Sequence, residues 1–211
     1  MSSMGDRAKE HFPAVLLTLI SIIQALALEL LWAKILDSEF LWTFDRDALL
    51  GWGMISVTLL GIVQIWVMYS SMVMGFRWMP SLRDSIFPFI IGIQEFMLIS
   101  LINDDFGGVW LYVLASVFIT ANTITHLSFR KARKDPANRA FFNNRNPATW
   151  KDFKWTYLVI ATLSLFGLLT DLYGTETLVP IVAILFANIL LLVQIASIQR
   201  LWLVIVNLPA D

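Results

Sequence analysis

Two glutamates lie within long apolar runs of the sequence, where an ionisable group is uncommon. Glu95 lies inside the run 86–103, and Glu29 lies towards the end of the run 13–35. A carboxyl group at membrane depth must be neutral, bind a cation or border water. Because neither glutamate has a lysine or arginine at matching depth, both are candidates for proton exchange or cation binding. The alternative is that both carboxyls are neutral and only donate hydrogen bonds.

Polar side chains from every apolar run lie at a depth similar to that of Glu95. Counting 1.5 Å per residue from the centre of each run, seven side chains fall within about 5 Å of the midplane. They are Gln24, Gln64, Gln94, Glu95, Asn122, Ser164 and Asn188. Because polar groups in hydrocarbon face one another or water, we expect them to share one interior layer that forms an ion path. The alternative is that the amides only hold helices together through hydrogen bonds.

Helical spacing predicts which face of the first run turns inward. One stripe on this run collects its small and polar residues at intervals of three and four. It consists of Thr18, Ser21, Ala25 and Glu29. We therefore expect Glu29 to face the same interior layer as Glu95.

Six apolar helices are the elements that would position these side chains. A bilayer core about 30 Å thick requires roughly 20 residues of apolar helix. Six runs approach that length: 13–35, 48–74, 86–103, 109–129, 155–173 and 178–200. The chain is 58% hydrophobic and 15% charged, which excludes an ordinary soluble domain. Residues 1–211 are therefore predicted to form one all-α domain, a polytopic membrane protein with a bundle of six transmembrane helices.

The distribution of positive charge predicts the orientation of the bundle, since lysines and arginines collect in cytoplasmic loops. With the N-terminus inside, every lysine and arginine except Lys34 and Arg46 is cytoplasmic. Both termini are then cytoplasmic, and a bacterial inner membrane is the expected location. Residues 25–27 also resemble a signal-peptidase site. The apolar run continues beyond them through Trp32, which favours an uncleaved first helix.

The predicted cytoplasmic loop 130–154 combines eight basic residues with several aromatic ones. This combination is typical of segments that lie on anionic lipid headgroups. The candidates for lipid contact are Arg130, Lys131, Arg133 and Lys134. Nucleic acid is not an expected partner, because a span on each side holds the loop at the membrane. The alternative is that the loop only sets the orientation.

Catalytic and cofactor motifs are absent from the sequence. It has no cysteine, no serine-hydrolase elbow, no His-Glu-x-x-His, no phosphate loop and no dinucleotide fingerprint. We therefore expect neither an enzyme nor a bound metal or cofactor. Two functions remain: a small channel or transporter for protons or cations, or an accessory subunit that binds another membrane protein or a second copy of itself.

Overall fold

The computed structural model describes residues 4–79, 81–103, 106–143, 146, 147 and 149–207, with the backbone alone for 4–8, 82, 83, 150 and 204. Over these ranges the secondary structure is helical and contains no strand, which confirms the all-α prediction. The helices are α1 (Met4–Asp37), α2 (Arg46–Gly75), α3 (Ile86–Ser100), α4 (Gly108–Ala132), α5 (Arg139–Phe142), α6 (Lys154–Tyr173) and α7 (Val179–Val206).

Five helices in the described ranges, α1, α2, α4, α6 and α7, are long and apolar enough to cross a membrane. The third predicted span is shorter than expected, because α3 has only 15 residues. It nevertheless runs between the two ends of the bundle. Asp84, just before α3, accepts a hydrogen bond from Lys131 near the end of α4, whereas the Leu98 carbonyl accepts one from Trp110 near the start of α4. Helix α3 is therefore antiparallel to α4 along most of its length.

The helix ends differ from the predicted spans where the chain is polar. Helix α1 begins at Met4 and continues through Pro13, because the residues before this proline include good helix formers. Helix α3 ends at Ser100, three residues early. Helices α4 and α7 extend past their predicted ends. Because α4 ends at Ala132 and α6 begins at Lys154, the connection between these two helices covers only 133–153. An apolar run shows which residues lie in the hydrocarbon core. The helix itself can continue into the headgroup region for as long as its residues favour helical structure.

Helices α2, α3, α4, α6 and α7 surround a common interior, and α1 packs on the outside against α2 and α3. Buried apolar side chains from these helices form one continuous core. Its fully buried members include Ile20, Met54, Ile99, Leu111 and Leu163. Lipid tails are as apolar as these side chains, so close packing rather than water exclusion holds the helices together.

The two ends of the bundle differ in their connections. At one end, here called the loop end, the Lys9 ammonium lies 3.1 Å from a carboxylate oxygen of Asp135, and Ile205 of α7 packs against the cluster that contains Phe141 and Phe142. The start of α1 and the end of α7 thus lie beside the segment 133–153. At the opposite end, here called the turn end, the Arg46 guanidinium donates to the carbonyl oxygen of Thr177 at 2.6 Å. That bond joins the start of α2 to the turn between α6 and α7, and it gives a structural reason for a basic residue at this end.

Candidate functional site

Glu95 lies in the interior of the bundle, and its carboxyl group has one hydrogen bond. The side chain is 2% exposed, and its Oε2 accepts from the Nε2 of Gln24 on α1 at 3.0 Å. Its Oε1 is buried and has no hydrogen-bond partner among the described residues. Since a buried polar atom without a partner costs about 1–3 kcal/mol, this oxygen requires an explanation.

A small cavity beside Glu95 explains how this oxygen can lack a partner within the described part of the protein. The cavity has a volume of about 30 Å³ and lies between α2, α3, α4 and α7. Its walls are mostly apolar, with Thr58, Gln64 and Glu95 as the polar exceptions. Part of this space is empty because Gly61 has no side chain. A Cβ placed at Gly61 would meet no atom within 4 Å. One water molecule fits a space of this size, so the carboxyl group has room for a bound water.

A larger cleft, with apolar walls and several polar side chains, adjoins this cavity on the side of the loop end. The cleft has a volume of about 250 Å³ and lies between α2, α4, α6 and α7. Its polar lining residues are Gln64, Asn122, Thr125, Thr156, Gln194 and Ser197. Gln64, Phe118 and Ala121 line both spaces, so they form the partition between them.

Gln64 is the polar group at this partition. Its Nε2 donates to the Oε1 of Gln194 on α7 at 2.6 Å, whereas its own Oε1 is buried without a partner in the described part of the chain. On the other side of the cavity, three apolar side chains, Val57, Leu98 and Leu114, lie towards the turn end and are almost fully buried. Polar groups therefore lead from Glu95 towards the loop end, and apolar groups close the opposite side.

Two of the predicted site residues form separate hydrogen-bonded pairs between helices. The Nε2 of Gln94 donates to the hydroxyls of Ser116 and Thr120 on α4, each at 3.0 Å. The Oδ1 of Asn188 on α7 accepts from the Ser56 hydroxyl of α2 at 2.6 Å. The expected single layer is thus divided. Gln24 bonds Glu95, and Gln64 and Asn122 line the spaces near it, whereas Gln94 and Asn188 hold helices together elsewhere.

Glu29 does not face the interior, so the expectation for its stripe is wrong. Thr18, Ala25 and Glu29 are all exposed on the outer face of α1. The opposite face, with Ile20 and Gln24, packs against the bundle. A stripe at helical spacing shows that residues share a face, but it does not show which face meets the neighbouring helices.

The four basic candidates for lipid contact have different environments. Arg130 and Lys134 are exposed. The Arg133 guanidinium lies 4.7 Å from the centre of the Phe142 ring. Lys131 instead forms an ion pair at 2.7 Å with Asp84, a carboxylate 47 positions earlier, so it is engaged within the protein.

Asp171 is an interhelical carboxylate at the end of a small and polar stripe on α6 that also contains Ser164 and Gly167. Its Oδ1 accepts from the backbone N–H of Gly108, and its Oδ2 accepts from the Tyr112 hydroxyl, each at 3.0 Å. The carboxylate thus joins α6 to the first turn of α4. Helical spacing in the sequence already places Asp171 on one face with Ser164 and Gly167, but it does not show that this face meets α4.

Comparisons with protein-family models, with curated proteins and with solved structures found no match to this chain. The proposals below therefore rest on the geometry of the helices and their side chains.

Proposed function

We propose that this chain is a proton-translocating membrane protein in which Glu95 is the group that takes up and releases the proton. One observation carries the proposal. The Oε1 of Glu95 is buried without a partner in the described ranges and lies beside a cavity that adjoins a larger cleft containing several polar side chains. A protein that kept this carboxyl only for packing would gain from satisfying or replacing it, because an unpaired buried oxygen destabilises the fold.

The size and chemistry of the cavity favour a proton over a metal cation. Calcium requires six to eight oxygen ligands, and magnesium requires near-octahedral coordination. The 30 Å³ space offers few polar side chains, Thr58, Gln64 and Glu95, within apolar walls. A water molecule and a carboxyl group suffice for proton transfer, whereas this set is too small for a dehydrated cation.

The two sides of the cavity imply transfer by alternating access rather than through an open pore. Protons reach the partition through the cleft, and the Gln64 amide must turn away from Gln194 to let water meet Glu95. The Gln24 amide holds Oε2 meanwhile, so Oε1 receives the proton. Release on the other side requires Leu98 and Leu114 to separate, because these side chains close the cavity towards the turn end.

A flux assay on the purified full chain in liposomes tests the role of Glu95. A pH-sensitive dye inside the liposomes reports proton entry driven by a potassium diffusion potential. We expect Glu95→Gln to fold normally and to abolish flux, because an amide cannot exchange a proton under these conditions. Glu29→Gln is the matched control, since it makes the same change on the exposed face of α1, and it should retain flux. Full flux through Glu95→Gln across pH 5 to 8 would disprove the proposal.

The proposed topology has six spans with the loop end in the cytoplasm of a bacterial plasma membrane. Helix α3 is the sixth span, supported by its path between the two ends and by the basic residues near its start. Because the chain has no cysteine, single cysteines at Glu39, Lys134 and Glu176 test this arrangement. An impermeant maleimide should label positions 39 and 176 in intact cells but should label 134 only after permeabilisation. Labelling of position 134 in intact cells would show that the orientation is the opposite of the proposed one.

A second candidate function, an accessory subunit, is favoured by the position of Glu29. It lies five residues, or about 7.5 Å of helix, beyond Gln24 on the exposed face of α1. A carboxyl group facing lipid at this depth is costly, and a partner helix that accepts its hydrogen bond would remove the cost. Light scattering in mild detergent should then show a complex larger than one chain, and Glu29→Leu should dissociate it. A monomeric wild-type protein contradicts self-association through Glu29 without affecting the first function.

A further inference from the structure

A second large cavity lies at the loop end and is separate from the cleft that leads to Glu95. Its volume is about 310 Å³, at the lower end of the range for ligand sites. It lies between the last turns of α4, helix α5 and the end of α7. The residues that define it are Phe129, Arg130, Arg133, Phe141, Phe142 and Leu201.

The charge at this cavity is positive. The ion pairs nearby use other groups, since Lys9 lies 3.1 Å from Asp135 and Lys131 lies 2.7 Å from Asp84. Arg130 is exposed at the cavity and makes no hydrogen bond or ion pair with any residue that the structure describes. A guanidinium group in this position is suited to the bidentate recognition of a phosphate.

Arg133 contributes a second guanidinium to the same cavity. It donates to the carbonyl oxygen of Asn146 at 2.8 Å and lies over the Phe142 ring. These contacts hold its side chain at the cavity wall. Two guanidinium groups therefore line one cavity, and charge complementarity favours an anion as its occupant.

The walls of the cavity are apolar and aromatic. Phe141 and Phe142 are buried with ring centres 4.9 Å apart, and Phe129 packs against both. Leu201 of α7 forms part of the wall and packs on the same aromatic cluster. Such walls suit a hydrocarbon chain, whereas a fully solvated anion would gain little from them.

The cavity also lies at the level expected for lipid headgroups. Trp155, at the start of α6, is 68% exposed, and the Lys154 ammonium lies 5.6 Å from the centre of its ring. Exposed tryptophans beside basic residues are typical of the membrane interface. This position favours a membrane lipid over a soluble molecule as the occupant.

We propose that this cavity binds one anionic phospholipid, with its phosphate at Arg130 and Arg133 and an acyl chain along Phe129, Phe141, Phe142 and Leu201. The site differs from a diffuse basic surface because it requires particular arginines and a chain-binding wall. It is independent of proton transfer through Glu95.

Native mass spectrometry of the full chain in neutral detergent measures the binding. The probe is dioleoylphosphatidylglycerol, compared with dioleoylphosphatidylcholine, which has the same chains without net charge, and with glycerol 1-phosphate, which has no chains. We expect saturable binding of one molecule of the anionic lipid, and much weaker binding of the other two. Arg130→Gln should weaken binding about tenfold or more, as for the loss of a hydrogen bond between charged groups.

Lys134→Gln is the matched control, because it removes one exposed positive charge from the same segment outside the cavity. It should change the affinity by no more than about twofold, since a charge on the open surface is screened. Leu201→Trp keeps every charge but fills the cavity, so it should also weaken binding. Circular dichroism establishes that each variant is folded.

Three results would overturn the proposal. Equal weakening by Arg130→Gln and Lys134→Gln would show a diffuse electrostatic surface. Equal affinity for the neutral lipid would remove the role of the arginines. Equal affinity for glycerol 1-phosphate would show a site for soluble anions instead of a lipid site.

Discussion

Asp171 and Glu95 are both carboxyl groups at helix contacts, but their surroundings are opposite. Asp171 is exposed, yet both its oxygens accept hydrogen bonds, from Gly108 and Tyr112. Glu95 is almost fully buried, yet only one of its oxygens is bonded, to Gln24. The group with less access to water thus has fewer partners, although burial makes each missing partner more costly. This difference indicates that Asp171 stabilises the fold, and it supports the proposal that Glu95 exchanges a proton.

Packing around the two groups differs in the same direction. Near Asp171, helices α4 and α6 are in close contact. A Cβ placed at Gly167 would lie only 2.6 Å from the Tyr112 ring. Near Glu95, Gly61 faces open space. The same residue type therefore closes one contact and opens the other, and substitutions at the two glycines can separate the two roles.

The largest expected effect is on stability at the Asp171 contact. Gly167→Val adds atoms where the Tyr112 ring and the backbone of Gly108 already lie, so α4 and α6 must separate. We expect a loss of about 2–3 kcal/mol, which lowers the thermal midpoint by about 4–12 °C for a chain of this length. Thermal unfolding in detergent, followed by circular dichroism, measures the shift. An unchanged midpoint would mean that the close contact is not needed.

The next comparison changes each carboxyl group to an amide. In Asp171→Asn only one oxygen remains to accept, so the bonds from Gly108 and Tyr112 cannot both persist unchanged. We expect a loss of about 1–2 kcal/mol. Glu95→Gln keeps an oxygen for the Gln24 amide, so its stability should change less than that of Asp171→Asn. The same unfolding experiment measures both variants, and a larger loss for Glu95→Gln would reverse the assigned roles.

Five helices long and apolar enough to cross a membrane, and the buried position of Glu95, could be predicted from the sequence because the bilayer fixes their pattern. Hydrocarbon thickness sets the length of an apolar run, and an isolated carboxyl group inside such a run stands out. The direction of Glu29 could not be predicted in the same way. In lipid, core-facing and lipid-facing residues are both apolar, so the pattern on α1 lacks the contrast that identifies a buried face in soluble proteins.

Contacts between distant segments also could not be predicted from the sequence. The pairing of Lys131 with Asp84 depends on how α3 returns beside α4. The cleft residue Gln194 lies five residues, about 7.5 Å, beyond the centre of the predicted run 178–200. Its relation to Gln64 appears only when α2 and α7 pack together. These positions depend on helix rotation, which small differences in packing determine.

A cavity-filling substitution tests the Glu95 region with opposite expected effects on stability and flux. Gly61→Ala places a methyl group where no atom lies within 4 Å. Alanine also favours a helix over glycine, so the protein should gain about 0.5–1 kcal/mol. The methyl group narrows the space for water beside Glu95, so proton flux in liposomes should fall. A more stable variant with undiminished flux would show that the cavity is not on the proton path.

The smallest expected effect concerns a third carboxyl group, Asp135 at the loop end. Unlike Glu95, Asp135 forms an ion pair, with Lys9. Burial acts to raise the pKa of Asp135, but the Ala137 amide and the Lys9 ammonium outweigh burial and hold the pKa below its usual value. A lowered pKa in the folded state stabilises the protein above the unfolded value near 3.9, and this contribution disappears as the pH falls through the folded pKa. Because Lys9 is partly exposed, the contribution is about 0.5 kcal/mol. We therefore expect Asp135→Asn to reduce the loss of thermal stability between about pH 5 and 3, whereas Glu95→Gln, which does not touch this ion pair, should leave that part of the pH profile unchanged. If Asp135→Asn has the same acid profile as the wild type, the Lys9 contact adds nothing to the stability of the loop end.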